Sequence, residues 1–273
     1  MKLKEYIPSF INIIKLRSLP LEKLKSTNAP TLPVIVTLTS IPSRLHIIDI
    51  TIRSILSQPQ KPQKIVLWLH EELQNQLPKK LTDLVGEIFE IRFQKELTCS
   101  HRKLIYSLKE FLDTALITCD DDLIYRPEWL ASLYNDHQTY PNSVIANECR
   151  MITYDESGEL LPYKQWTYLK TPGVVDKKLL PIGYGGVLYP KNALHEDATN
   201  PDLFLKLAPK ADDLWFKMMS LLKGTEVRRS SHPCQKPIPI AGSQAISLKK
   251  TNIREDKNRL QWLALCEYYD IKP

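Results

Sequence analysis

From residue 34 onward the chain alternates between two periods, and that alternation restricts the folds open to it. Residues 34–38 are a short apolar run. Leu45, Ile48, Ile52, Ile55 and Leu56 then recur at the spacing of one helical face, Pro59 and Pro62 stop that helix, and residues 65–69 form the next apolar run. Residues 87–93 read as a third strand, 104–111 as a helix, 115–119 as a strand, and 127–134 as a helix opened by Pro127, whose missing N–H is tolerated in a first turn. Strands separated by helices build a largely parallel sheet, because parallel neighbours need a long crossover that packs back on the sheet with a right-handed turn. The expected fold class is α/β, and 273 residues leave room for one large domain of that kind with an extension.

Past another expected strand at 143–148 the texture changes. Residues 151–190 are rich in Pro, Gly and Tyr and show little helical period, which suggests a loop-rich or antiparallel half. A helix is expected over 211–222, ended by Gly224, then a strand at 225–229 and a terminal helix over 253–269. Residues 1–27 stand apart. Ile7, Phe10, Ile11 and Ile14 share one helical face, and Lys2, Lys4, Lys15, Arg17, Lys23 and Lys25 outnumber Glu5 and Glu22. Such a basic amphipathic helix either packs on the body or a sister subunit, or lies on an anionic membrane surface.

Four segments carry the chemistry. In ITCDDDLIY, residues 117–125, three carboxylates follow an apolar strand at once. The carboxyl end of a strand is where open α/β sheets bind ligands, and three adjacent anions invite a hard divalent cation held by oxygen ligands. Asp120 and Asp122 form the natural DxD pair. One would bind Mn²⁺ or Mg²⁺, the metal would bridge diphosphate oxygens, and another carboxylate, with Asp121 a further candidate, would accept a ribose or sugar hydroxyl. His232 is a candidate third metal ligand. TLTSIPSR, residues 37–44, follows the first strand. It offers the hydroxyls of Thr37, Thr39 and Ser40 to a nucleotide and Arg44 to a phosphate, or else caps a helix.

In LPIGYGGVLYP, residues 180–190, Gly183, Gly185 and Gly186 are three of only eight glycines, which suggests a close backbone approach, with the Tyr184 ring available to stack on a sugar. In KADDLWFKMMSLLKG, residues 210–224, Asp212 and Asp213 open a helix. They suit its positive dipole end, and one of them could serve as a general base, while Trp215, Met218, Met219 and Leu222 read as core. Lys103 is a candidate nucleotide contact, and Lys236, Lys249 and Lys250 are candidates to close over a diphosphate.

Several classes are disfavoured. Walker A and GxGxxG signatures are missing, as are nucleic-acid-binding motifs with their aromatic spacing, so no nucleic-acid partner is expected. A net charge of +6 suits an anionic substrate or lipid instead. Five widely spaced cysteines without a CxxC, no signal-peptide pattern and no apolar run near the ~18–20 residues of a membrane span point to a cytoplasmic protein.

In combination the four segments resemble the GT-A family of nucleotide-sugar glycosyltransferases, particularly bacterial enzymes that build capsule or lipopolysaccharide chains. The order matches over about residues 34–225: nucleotide-binding strand and turn, mid-chain DxD, glycine-rich acceptor loop with Tyr184, Gly185 and Gly186, then an acidic pair opening a helix. The resemblance implies a GT-A, Rossmann-like sheet, a nucleoside-diphosphate sugar donor (a UDP-sugar favoured), a glycan or lipid-linked glycan acceptor, and inversion by single displacement. It places the base on the second acid, Asp213, although the pair is Asp-Asp here rather than the commoner Glu-Asp, which keeps Asp212 open. Together with the residue pattern, it gives the expected division into a basic extension (1–30), a nucleotide-sugar-binding half (31–150), an acceptor half (151–250) and a terminal helix (251–273). The rivals are a sugar nucleotidyltransferase, a haloacid-dehalogenase-type phosphatase, whose DxD lies near the amino terminus followed by Gly-Thr, and a non-catalytic binding protein of the same fold.

Overall fold

The computed structural model describes residues 3–243 and 255–271, and the side chains from residue 5. Lys249 and Lys250, and the first two positions of the expected terminal helix, lie outside the described residues. The elements run α1 (Leu3–Arg17), α2 (Leu21–Lys25), β1 (Thr31–Thr39), α3 (Ile48–Leu56), β2 (Lys61–His70), α4 (Lys79–Thr82), β3 (Phe89–Gln94), α5 (Arg102–Glu110), β4 (Ala115–Thr118), β5 (Leu123–Ile124) and α6 (Trp129–Thr139). They continue as β6 (Val144–Ala146), β7 (Cys149–Met151), β8 (Thr167–Tyr168), β9 (Leu179–Pro181), β10 (Val187–Tyr189), α7 (Pro201–Leu207), α8 (Asp212–Lys223), β11 (Val227–Arg229), β12 (Ile238–Pro239) and α9 (Lys257–Tyr268).

Seven strands form one sheet in the order β11-β6-β10-β4-β1-β2-β3. β1 runs parallel to β2 and β4, β2 to β3, and β11 to β6. β10 is antiparallel to both of its neighbours, because residues 147–186 reach it through a small sheet and a tight turn instead of a helical crossover. The result is the expected mostly parallel α/β sheet flanked by helices. The texture change after residue 150 corresponds to an antiparallel three-stranded sheet, β8-β7-β9.

Side chains alternate across a strand, so each central strand feeds two cores. On one face Val34, Val36, Leu38, Ile65, Leu67 and Ile117 meet Ile48, Ile52 and Ile55 of α3. On the other, Ile35, Val66, Trp68 and Leu116 meet Leu104 and Ile105 of α5 and Leu214, Trp215, Met218 and Met219 of α8. Each such side chain contributes about 1.5–3 kcal/mol by leaving water. Gly224 ends α8 at φ 76°, a left-handed conformation that glycine adopts without a Cβ clash.

α1 does not seat its periodic apolar face on the body. Ile7 is 71% exposed and Phe10 63%, while Ser9 and Leu16 are buried against the protein. Residue period alone could not say which face turns inward.

Candidate active site

β1 and β4 lie side by side in register, Thr37 opposite Thr118, so the turns that leave their carboxyl ends meet. The amino ends of α5 and α8 and the glycine turn before β10 close around them. Ionisable groups concentrate there in two clusters.

In the first cluster, Ser40 Oγ donates to Asp121 Oδ2 and Arg44 Nη1 to Asp121 Oδ1, both at 2.5 Å, and Arg44 Nη2 lies 3.0 Å from Asp122 Oδ2. Burial opposes the Arg44 charge, but Asp121 and Asp122 outweigh it and raise its pKa. Burial also lifts the Asp121 carboxyl, against the pull of Arg44 and Ser40. Burial and then the Asp120 charge push Asp122 up to about 7, with Arg44 opposing.

The second cluster is built on Lys103. Its buried ammonium lies 2.9 Å from Asp120 Oδ1 and 2.8 Å from Asp212 Oδ2, and so links β4 to α8. Burial alone would neutralise this lysine. Asp120, Asp212 and Asp213 reverse that and hold it well above the ordinary range. Ser100 Oγ donates to Asp212 Oδ1 at 2.9 Å. Asp212 is held below the usual range: burial works against its charge, but Lys103 and then His101 prevail. Asp213 accepts the Gly183 N–H on both carboxylate oxygens at 3.1 Å. Burial and the neighbouring Asp212 push it to about 7, against Lys103. Neighbouring acids on one helix turn thus have opposite tendencies, the arrangement that separates a charged positioning group from a proton acceptor.

The structure gives several of the residues expected at the site partners within the chain. Thr37 is fully buried, and its hydroxyl donates to the Lys103 carbonyl and meets Ser107 Oγ at 2.7 Å, tying β1 to α5 instead of facing a nucleotide. Thr39 Oγ1 donates to the Trp68 carbonyl at 2.8 Å. Ser40 and Asp121 satisfy each other in the interior, and Arg44 is engaged by carboxylates. All five are engaged inside the chain because a buried polar group left unpaired costs more than the bond it makes inside. His232 is exposed on the loop after β11, its backbone N–H bonded to Ser230 Oγ. Among the described residues no three His, Cys, Asp or Glu side chains gather as a metal-ligand set, so His232 does not join Asp120 and Asp122.

The glycine turn divides by role. A Cβ at Gly183 would come within 2.8 Å of Asp213 Oδ1 and 3.1 Å of Lys103 Nζ, so this backbone must approach the ionic cluster. A Cβ at Gly185 would strike Glu148, and one at Gly186, whose φ is 91°, would strike the Trp129 indole. Gly185 and Gly186 are therefore explained by packing within the chain. Trp129 Nε1 and Asn147 Nδ2 both donate to the Gly185 carbonyl, at 2.9 and 3.1 Å. Tyr184 is half-buried and donates its hydroxyl to Glu148 Oε2 at 2.8 Å, and Lys236 Nζ sits 3.0 Å from the same oxygen.

Glu148, Ser100 and Trp129 escaped the sequence reading. Glu148 had a usable signal, a carboxylate at the end of an expected strand. The other two had none, since their partners are 112 and 56 positions away.

The donor chemistry suits a divalent cation at Asp120 and Asp122. Both are oxygen ligands, Asp120 is part-exposed, and the burial and then the Asp120 charge that lift Asp122 are what a cation would offset.

No family model matches the chain, and no curated protein matches it. Solved structures do. One is a 4-diphosphocytidyl-2C-methyl-D-erythritol synthase from Anaerococcus prevotii, 11% identical, TM-score 0.46, with 87% of this chain and 98% of that one covered. A CMP:2-keto-3-deoxy-manno-octonic acid synthetase complexed with CTP is 10% identical, TM-score 0.47, covering 85% and 99%. S. aureus TarS (residues 1–349) is 14% identical, TM-score 0.42, covering 77% of this chain and 59% of that one. By its own strand order and pairing, the chain is an α/β protein with a mostly parallel, helix-flanked sheet of the Rossmann-like kind.

Proposed function

We infer that the protein is a nucleotide-sugar-dependent glycosyltransferase that moves a sugar from a nucleoside diphosphate to an acceptor hydroxyl with inversion. The observation that carries this reading is the Asp213 carboxylate. It is lifted to about 7, anchored by the Gly183 N–H, and joined through Lys103 to Asp120 at the carboxyl edge of the sheet. A general base works best with a pKa near the operating pH. In the reaction Asp213 accepts the proton of the acceptor hydroxyl, the hydroxyl oxygen bonds to the anomeric carbon, and the bond from that carbon to the diphosphate oxygen breaks.

Asp212, kept charged by Lys103 and Ser100, holds Lys103 in place and raises the basicity of its neighbour. Asp120 and Asp122 would hold Mn²⁺ or Mg²⁺, which supplies positive charge to the departing diphosphate. Tyr184, fixed by Glu148, presents a ring to an acceptor sugar, in keeping with residues 151–250 as the acceptor half and residues 31–150 as the donor half. The acceptor is a glycan or lipid-linked glycan, and a UDP-sugar is the favoured donor.

The test is a screen of nucleotide sugars with Mn²⁺ present or chelated. Metal-dependent release of a nucleoside diphosphate from one preferred donor is the expected result. Pyrophosphate release from a nucleoside triphosphate, with every nucleotide sugar inert, would replace this reading by nucleotidyl transfer, which the same fold accommodates. Inertness toward both would leave a binding protein.

A further inference from the structure

Helix α1 is mounted with its apolar side out. Ser9 is fully buried and its Oγ accepts the Ala241 N–H at 2.9 Å. Leu16 and the partly buried Ile13 pack with Ile124, Ile238 and Ile240, the strand pair β5 and β12. Arg53 Nη1 donates to the Leu16 and Leu19 carbonyls at 3.2 and 3.3 Å, and Arg17 lies 3.6 Å from Asp49. The helix is therefore clamped in one rotation. That rotation leaves Tyr6, Ile7, Phe10, Ile11 and Ile14 exposed by 48–71%. Side chains three and four apart share a helix face, so these form one continuous apolar stripe in water.

Charge identifies what meets it. Lys15 follows Ile11 by four positions, which places a cation beside the stripe, and Arg17, half-exposed while paired with Asp49, follows Ile14 by three. Residues 1–27 contain six basic and two acidic side chains and so hold four of the chain's six net positive charges. An apolar stripe edged by lysine and arginine suits a lipid surface, where the apolar side chains enter the acyl boundary and the long cationic ones reach the headgroups. A second copy of this chain would bring the same positive charges against themselves.

We propose that α1 docks the protein on an anionic lipid bilayer. No helix among the described residues is long and apolar enough to cross a membrane, so the association is peripheral. The Ile240 N–H is bonded to the Asp122 carbonyl at 2.9 Å, so the strand pair under α1 continues directly from the acidic turn. Docking through α1 would therefore keep the candidate active site near the bilayer, as a lipid-linked acceptor requires. That last step alone rests on the glycosyltransferase reading.

The test is cosedimentation of the full chain with vesicles of phosphatidylcholine alone or with about one third phosphatidylglycerol. We expect binding to the anionic vesicles only, weakened by salt. The triple variant Ile7→Ser, Phe10→Ser, Ile11→Ser and the pair Lys15→Glu, Lys23→Glu should each bind at least about tenfold more weakly. Their thermal unfolding should be unchanged, since the substituted side chains face solvent. Failure of the wild-type chain to bind, or equal binding to neutral vesicles, overturns the proposal. So does a dimer in equilibrium sedimentation that the triple variant dissociates, which would make the stripe a subunit contact. No donor or acceptor enters the assay, so its outcome is separate from that of the nucleotide-sugar screen.

Discussion

The two acidic clusters are built on the same plan with different cations. Each contains one carboxylate tied by internal bonds (Asp121 to Ser40 and Arg44, Asp212 to Ser100 and Lys103) and one lifted to about 7 (Asp122 and Asp213), but burial raises Asp121 as well, whereas Lys103 holds Asp212 below the usual range. Arg44 is a planar fork, and it grips two neighbouring carboxylates within one turn. Lys103 is a point charge on a flexible stem, and it spans two carboxylates from elements far apart in the chain. The first cluster therefore stiffens a local turn, whereas the second joins the end of β4 to the helix that carries the candidate base. The comparison teaches that a cation shared between distant elements drives two neighbouring acids apart, Asp212 down and Asp213 up, whereas in the local turn both acids stay raised.

The sharpest way to break this comparison is Asp213→Asn. Turnover should fall by about 10²–10⁴ while calorimetric donor affinity is retained. A near wild-type rate would move the base elsewhere, Asp212 first. Lys103→Met comes next, because it strands carboxylates on both sides of the link. Denaturant unfolding should show a loss of about 3–5 kcal/mol. Lys103 also holds the Asp213 pKa down, so the variant's rising pH–rate limb should move to higher pH than the wild-type limb near 7.

Arg44→Met should cost less, roughly 2–3 kcal/mol by the same measurement, since Arg44 is 18% exposed against 8% for Lys103 and solvent screens what remains. A larger loss than for Lys103→Met would invert the ranking of the two clusters. The smallest effect is on stability against pH. Asp213 has a folded pKa near 7, above its ordinary 3.8, so the fold binds that proton more tightly than the unfolded chain does. Its stabilising contribution is complete below about pH 4 and is lost as pH rises through about 7. Asp213→Asn should accordingly unfold a few degrees higher than wild type at pH 8 and equally at pH 4, as followed by thermal melts. An equal shift at both pH values would mean that the carboxyl is not lifted.

Much of this molecule was legible as sequence. Period and proline placement located the central strands and helices because each depends on neighbours within a few positions, and residues 34–38 or Leu104 and Ile105 bury the side chains that their spacing marks. The acidic turn and the acidic pair were legible for the same reason, as residue types at a strand end and a helix start. What the sequence determined by itself was the α/β alternation, the concentration of carboxylates at the ends of those elements, and an amphipathic, basic amino terminus. Pairing across the chain was left to tertiary structure. Which hydroxyls of residues 37–40 turn inward, which acid Lys103 holds, why Gly183 differs from Gly185 and Gly186, and which face of α1 meets solvent all depend on partners tens to hundreds of positions away. Burial and unscreened charge act through space, and only the folded chain brings those partners within the few ångströms over which such forces decide a residue's state.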